Sequence, residues 1–379
     1  MNFDLTEEQR LIQSTVRSFA EREVLPIASD IEEEMRFPVE LIPRMASLGL
    51  MGMQVPEEFG GSSLDTVCYS IAVEELARVS ASVAIIVSVH NSLVIYPFFK
   101  YGNDLQRKKY VSALASGRKL GAYCITEASA GSDVSNERTL AVRNGNNYIL
   151  NGEKLYITNG EKADVFFVMA RTGDSGRTRN LSVFIVDRET PGLTVSPPEK
   201  KMGLNASGTV SVKFENVRVP AENLLGDEGM GMKIALSTLD AGRIGVAAQS
   251  IGIAQGALSA AITYSKQREQ FGKKISEFQA IQWMIADMAT WVETGRLMLH
   301  KAAFLKDQGR DYSLEASMAK LFASEAANRV ADRAVQIHGG IGYIRGTPVE
   351  RFYRDARVTE IYEGTSEIQR LVISRKVLQ

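Results

Sequence analysis

The stretch Tyr148-Ile149-Leu150-Asn151-Gly152-Glu153-Lys154-Leu155-Tyr156-Ile157 marks where the chain changes texture. Two apolar runs flank an Asn-Gly pair, the strongest short-range signal for a hairpin. The spacing predicts two short antiparallel strands joined at Asn151-Gly152, with a second turn at Asn159-Gly160. Working outward, 165–170, 181–186, 193–195 and 210–214 read as further strands. Several short strands with regular turns predict a small sandwich or barrel over 121–228.

On either side the period lengthens to that of helices. Upstream, Thr6 and Gln9 form a capping box, and Leu11, Ile12, Val16, Phe19, Ala20 and Val24 follow at helical spacing. Further helices are expected at 38–48, 66–79, 83–99 and 104–115. Downstream, 231–267 is rich in Ala, Gly and Ser, and must gain from close packing what glycine loses in helix propensity. Two more amphipathic stretches, 277–308 and 313–337, and a last helix at 367–377 complete a four-helix bundle. The expected fold is therefore α+β and multidomain: an N-terminal helical domain (1–120), a central β domain (121–228) and a C-terminal bundle (229–379).

Bulk properties exclude several functions. The chain has 379 residues, with Lys+Arg 44 against Asp+Glu 45, a net charge of −1 and no long basic run. General affinity for nucleic acid is not expected. Cys68 and Cys124 stand far apart in apolar contexts, which fits a reducing, cytoplasmic setting better than a disulfide framework. His90, His300 and His338 lack metal-site spacing, so no metal is expected. The N-terminus, Met1 to Leu5, carries no secretory pattern, and the apolar run 83–89 is too short to span a bilayer. Neither a P-loop nor a GxGxxG turn is present.

Six polar clusters remain. Tyr123-Cys124-Ile125-Thr126-Glu127, running on to Gly131-Ser132-Asp133, starts as a strand and ends in small hydroxyl-bearing residues that suit a ligand loop or an ordinary turn. Tyr156 and Thr158, two apart on a strand, would share one face and could stack on and hydrogen-bond a flat heterocycle. Asp240 and Arg243 share a helix face and either pair with each other or meet a polar ligand. Arg268, with Gln270-Phe271-Gly272, suits a phosphate contact. Gln336-Ile337-His338-Gly339-Gly340-Ile341-Gly342 exposes backbone amides that would cradle a pyrophosphate. Last comes Ile361-Tyr362-Glu363-Gly364-Thr365. There Ser366, with Gln369 three residues on, reads as a capping box, placing Glu363 just before a helix N-terminus.

Together and in this order, these pieces resemble the acyl-CoA dehydrogenase family over essentially the whole chain, and its short-chain, butyryl-CoA-type branch above the others. The resemblance implies FAD between the β domain and the helical domains. It implies Thr126 and Thr158 hydrogen-bonding the flavin, Tyr156 packing on it where most members carry Trp, and Tyr123, Ile125, Ser132 and Ile157 beside it. Arg268, Gln270, Phe271 and Gln279, with Gln336, Ile337, Gly339 and Gly340, match segments reaching the FAD of a neighbouring subunit, which implies a homotetramer. Thr365 and Ser366 match further FAD contacts. Ser132, Asp240, Arg243, Tyr362 and Gly364 match contacts to the acyl-CoA. Glu363 matches the catalytic base that removes the α-proton, with FAD N5 taking the β-hydride and electrons passing to electron-transferring flavoprotein. Members of the isovaleryl and long-chain types carry their base at the position of Gly242, and glutaryl-type members carry Arg at that of Ala84. Neither applies here. The alternatives are an acyl-CoA oxidase using O₂, whose chains are typically longer, and a flavin- or CoA-binding protein without catalysis.

Overall fold

The computed structural model describes residues 4–173 and 180–379. Met1 to Phe3, part of the N-terminal stretch read above, lie outside the described residues. The helices before the sheet are α1 (Glu7–Phe19), α2 (Ala28–Glu33), α3 (Leu41–Ser47), α4 (Thr66–Ala77), α5 (Ala81–Ser88), α6 (Tyr96–Tyr101), α7 (Asp104–Gln106) and α8 (Ser112–Ala115). The Thr6–Gln9 capping box is formed in both directions, at 3.0 and 3.2 Å. The helix expected at 83–99 is continuous over Ala81–Tyr101, with a π turn at Val89–Ile95 joining α5 to α6. It is long and apolar enough to cross a bilayer, but 89% of its apolar window is buried inside the fold.

The strands are β1 (Gly121–Cys124), β2 (Leu140–Asn144), β3 (Asn147–Ile157), β4 (Val165–Arg171), β5 (Leu181–Asp187), β6 (Leu193–Val195), β7 (Val210–Pro220) and β8 (Leu224–Leu225). Their order is β6-β7-β3-β2-β4-β5-β8, with β1 parallel to β4. β2 meets β4 through the single pair Leu140↔Arg171, so the sheet folds over there. Leu150 and Phe214 from one half then share a core with Phe166 and Phe184 from the other, as in a sandwich. The opposite faces of β4 and β5 (Phe167, Met169, Val183, Ile185) join the large helical core. Burial on both faces explains why 165–170 is uniformly apolar.

The expected hairpin at Asn151-Gly152 is not formed. β3 runs straight through these residues, and the chain reverses one step earlier, at Gly145-Asn146. Asn151-Gly152 is instead a bulge against β7, between the pairs Leu150↔Val217 and Gly152↔Phe214. Asn151 Oδ1 accepts from Asn216 N at 2.8 Å. A Cβ at Gly152 would lie 2.7 Å from Thr139 Cα, so the glycine is there for close approach.

After the sheet come α9 (Gly231–Gln267), the small hairpin β9 (Glu269–Gln270) and β10 (Lys273–Lys274), then α10 (Gln279–Asp307), α11 (Ser313–His338), α12 (Pro348–Arg357) and α13 (Ser366–Val377). α9, α10 and α11 pack on one another, and α12 and α13 pack on α11. The glycines of α9 admit neighbours closely. A Cβ at Gly252 would sit 2.5 Å from the Ala77 methyl of α4, and one at Gly256 2.7 Å from the Phe352 ring of α12. Each glycine costs the helix about 1 kcal/mol relative to alanine. That contact with α4 and α12 offsets the loss through dispersion and burial.

Candidate active site

A cavity of about 320 Å³, open to solvent, lies where the sheet, α9 and α13 meet. Its sheet side comes from the end of β1 and the end of β3. Tyr123, Ile125, Thr126 and Ser132 line it from the first, and Tyr156, Ile157 and Thr158 from the second. The expectation that Tyr156 and Thr158 share a strand face is not met, because β3 ends at Ile157 and shifts register between Lys154 and Ile157. Tyr156 takes a left-handed φ of 59°, which swings its ring out to 67% exposure over the cavity. The irregularity, rather than strand alternation, brings ring and hydroxyl to the same opening.

The loop bearing Thr126 is held from beneath by an ion network. Lys154, fully buried on β3, donates to Glu127 and Glu137, each at 2.9 Å. Glu127 also accepts from the backbone N–H groups of Arg138 and Thr139 at 2.7 and 3.0 Å. Burial pushes the Glu137 carboxyl up to about 8, against the pull of Lys154.

On the far wall, Glu363 occupies a left-handed conformation, φ 52°, followed by Gly364 at φ 94°. Such a conformation at a non-glycine residue costs on the order of 1–3 kcal/mol and persists only where neighbours enforce it. Here Lys320 Nζ donates to the Gly364 carbonyl at 2.7 Å, and Gln369 Nε2 donates to the same oxygen at 2.9 Å. The helix cap also differs from expectation. Thr365 is the N-cap, accepting from Ile368 N at 3.3 Å, and Ser366 is already helical. Thr365 has the extended ψ of 163° that a cap needs. Gln369 is thereby free to turn back onto Glu363 and Gly364.

Both carboxylate oxygens of Glu363 are enclosed and have no hydrogen-bond partner in the protein. Burial raises the carboxyl to about 7, with Lys320 and Arg243 pulling the other way. Gly242 on α9 makes the room: a Cβ there would collide with Glu363 Oε2 and lie 2.7 Å from Leu93. Positions 242 and 363, distant in sequence, therefore address one point in space.

Arg243 lines the cavity and Asp240 does not. The pair is bonded, with Arg243 Nη1 also donating to Ser317 Oγ at 3.2 Å, and Ser313 Oγ donating to Asp240 at 3.0 Å. Arg243 Nε is buried without a partner. Tyr362 and Gly364 line the cavity, while Thr365 and Ser366 stand behind it at the start of α13. Ala84 is fully buried in α5, away from the cavity lining.

The remaining expected residues lie elsewhere. Arg268 caps the far end of α9, about 37 Å along the helix from Arg243 at 1.5 Å per residue. Phe271, at the β9–β10 turn with φ 54°, is 93% exposed. Gln270, Gln279, Gln336, Gly339 and Gly340 are also exposed, and Ile337 is buried. Tyr264 on α9 stacks on His338 of α11 at 4.3 Å, which holds the two groups side by side. They form a second surface, remote from the cavity of the same chain.

Sequence reasoning missed a third wall. Leu236 and Leu239 from α9, and Ile368, Leu371, Val372 and Arg375 from α13, line the cavity mouth. Leu236 and Leu371 remain exposed, a signal visible only once the two helices are placed together.

A flat, hydroxyl-bonding cofactor fits this site. The exposed Tyr156 ring, the Thr126 and Thr158 side chains and the buried, unpartnered Tyr123 Oη surround one opening, with the unpartnered Ser366 Oγ behind it. A Cβ at Gly131 would meet nothing, leaving backbone accessible beside Ser132. Among the described residues no three His, Cys, Asp or Glu side chains converge as a metal site would require.

Family models describe the same three parts: acyl-CoA dehydrogenase N-terminal domain over residues 6–118, middle domain over 122–217 and C-terminal domain over 229–378. The chain is 46% identical over 379 residues to the short-chain-specific acyl-CoA dehydrogenase of Clostridium acetobutylicum, covering both completely. It superposes on butyryl-CoA dehydrogenase from Megasphaera elsdenii with a TM-score of 0.98 at 43% identity, covering all of both chains. A chain from a structure described as electron transferring flavoprotein of Acidaminococcus fermentans matches at TM-score 0.99 and 47% identity, again with full coverage of both.

Proposed function

The chain belongs to the acyl-CoA dehydrogenase family, and from that premise we propose that it oxidises a short acyl-CoA to the trans-2-enoyl-CoA and passes the electrons to electron-transferring flavoprotein. The observation that carries this reading is Glu363. It is an enclosed carboxylate with no partner of its own, poised near 7, lining a cavity with a hydroxyl-bearing, aromatic wall.

The α-proton of a thioester is weakly acidic, so a base matched to neutral pH is needed. Desolvation supplies it, and Lys320 and Arg243 keep the value from climbing further. The Glu363 backbone N–H would donate to the thioester carbonyl, where negative charge develops as the proton leaves. FAD, when bound, supplies the acceptor for the β-hydride. Thr126, Thr158 and Tyr156, with Tyr123, Ile125, Ser132 and Ile157, would hold its ring system, and Thr365 and Ser366 would meet it at the α13 N-terminus. Ser132, Arg243, Tyr362 and Gly364 would position the acyl-CoA, with Asp240 orienting Arg243.

The second surface supports a homotetramer. Arg268, Gln270, Phe271, Gln279, Gln336, Ile337, Gly339 and Gly340 cannot reach their own cavity, so a neighbouring copy would use them on its cofactor. A cytoplasmic enzyme without a membrane span fits the two unpaired, buried cysteines and the burial of both long apolar helices, 89% and 83% of their apolar windows.

The purified protein is expected to be yellow, to bleach anaerobically with butyryl-CoA and to turn over with a ferrocenium acceptor or electron-transferring flavoprotein. A colourless protein after FAD reconstitution would refute the reading. Rapid reoxidation by air would turn it towards an oxidase.

A further inference from the structure

The helix over Ala81–Tyr101 changes pitch where it faces the cavity. Its π turn, Val89–Ile95, brings Val89 and Leu93 into the lining, and Leu93 and the Glu363 carboxylate converge over Gly242. Such turns inside α-helices recur at functional sites. Polar side chains secure this one. The carbonyls of Ile86, Val87 and Ser88, just before it, accept from Asn159 Nδ2 at 3.1 Å, Asn91 Nδ2 at 2.9 Å and Ser92 Oγ at 2.7 Å. Asn91 Oδ1 also accepts from Met53 N at 3.0 Å.

His90, fully buried in the turn, ties it to the sheet. Its Nε2 lies 3.1 Å from the Leu114 carbonyl and its Nδ1 lies 3.1 Å from the Gly121 amide nitrogen. A carbonyl needs a donor and an N–H needs an acceptor, so the ring is the neutral Nε2–H tautomer. Burial keeps it neutral, lowering its pKa to about 4. Gly121 opens β1, the strand that leads to Tyr123, Ile125 and Thr126 on the cavity wall. The Gly121 carbonyl is held as well, by Asn159 Nδ2 at 3.3 Å. Asn159 directly follows Thr158, has a left-handed φ of 66° and is fully buried. A Cβ at Gly121 would lie 2.6 Å from the Val94 side chain, so β1 is pressed directly on the turn. Gly121 is thus gripped at its N–H from the turn and at its C=O from the segment after β3.

We propose that His90 is a positioning residue, which through Gly121 fixes the gap between the wall that carries the base and the wall that would carry the flavin. Leu93 and Glu363 stand on one side of that gap, and Tyr123, Ile125, Thr126 and Thr158 on the other. The α-proton and the β-hydride leave adjacent carbons of one substrate towards these two sides, so both distances must hold together. A misplacement of about 1 Å in such an arrangement can cost on the order of a hundredfold in rate. This inference rests on the acyl-CoA reading above and deepens it to the residue that aligns the two transfers. His90 itself does not line the cavity and touches no reacting atom.

The test separates the two bonds of the one ring. His90→Gln sets an amide near the Nε2 position, which keeps the Leu114 bond and loses the acceptor for Gly121. His90→Asn sets an amide oxygen near the Nδ1 position, which keeps the Gly121 bond and loses the one to Leu114. The FAD-loaded native enzyme and variants are mixed anaerobically with butyryl-CoA, and hydrogen exchange at the Gly121 amide is followed without substrate. His90→Gln should slow flavin reduction about ten- to a hundredfold, leave KM within about threefold and speed exchange at Gly121 about tenfold or more. His90→Asn should restore both rates to within about threefold of native. Equal losses in the two variants would overturn the proposal, as would a native reduction rate in His90→Gln. If His90→Gln does not fold, Asn159→Ser releases the Gly121 carbonyl instead and should slow reduction by a similar factor; a native rate there would overturn the proposal too. A native enzyme that no acyl-CoA bleaches would overturn the acyl-CoA reading and this inference with it, whereas a bleached flavin in every protein at the native rate overturns this inference alone.

Discussion

Replacing Glu363 by Gln should make the folded protein more stable at alkaline pH while abolishing turnover. The carboxyl rises from an ordinary 4.5 to about 7 in the fold. It therefore binds its proton more tightly folded than unfolded. Below 4.5 both states hold the proton and the group is neutral to stability. As pH rises from 4.5 through 7, the unfolded state ionises first and gains by it. At 1.36 kcal/mol per pH unit the full difference is about 3 kcal/mol against folding, reached near pH 8, and about 1 kcal/mol at pH 5. The attraction of Lys320 and Arg243 is already contained in the value of about 7. Gln imitates the protonated form at every pH and removes the penalty. Equilibrium urea unfolding of both proteins, FAD-saturated and followed by far-UV circular dichroism at pH 5 and pH 8, measures the gain. A gain of about 3 kcal/mol at pH 8 shrinking to about 1 at pH 5 is expected. An equal effect at both pH values, or a loss at pH 8, would show that the carboxylate is not desolvated and that burial does not set its basicity.

Activity should follow the same group. Glu363→Gln should lower kcat by about 10²–10⁴-fold, the usual worth of a positioned general base, with flavin colour retained; near-native turnover would place the proton elsewhere. The acid limb of kcat/KM should fall near pH 7, since only the ionised carboxylate accepts the proton. Lys320→Met removes a cation that holds the carboxyl down, so this limb should move to higher pH; a shift to lower pH would contradict the assignment. Gly242→Ala should improve helix propensity by about 1 kcal/mol yet sharply reduce activity, because its methyl collides with the carboxylate; full activity would mean the two do not share that space. Lys154→Met leaves two carboxylates without their buried cation and should cost about 3–5 kcal/mol of stability, read as a lower urea midpoint with earlier flavin release.

The sequence by itself determined the order of helices, strands and helices, because periods of 3.6 and 2 are written locally in side-chain polarity. It also carried the Thr6 cap, the strand at 165–170 and, through resemblance, the expectation that Glu363 is the base. Local pattern failed where a residue's role depends on a distant partner. Asn151-Gly152 has the chemistry of a turn, but Thr139 and Asn216 make it a bulge. Ser366 has the chemistry of a cap, but Thr365 alone has the backbone angles for one. Tyr156 reaches the cavity through a positive φ that no alternation rule anticipates.

What only the tertiary structure decided is the environment of Glu363. Its basicity comes from burial beside α9 and the π turn that bears Leu93, its conformation from Lys320 and Gln369, and its space from Gly242. Desolvation and excluded volume are properties of how elements pack together. They have no signature in any one stretch of chain.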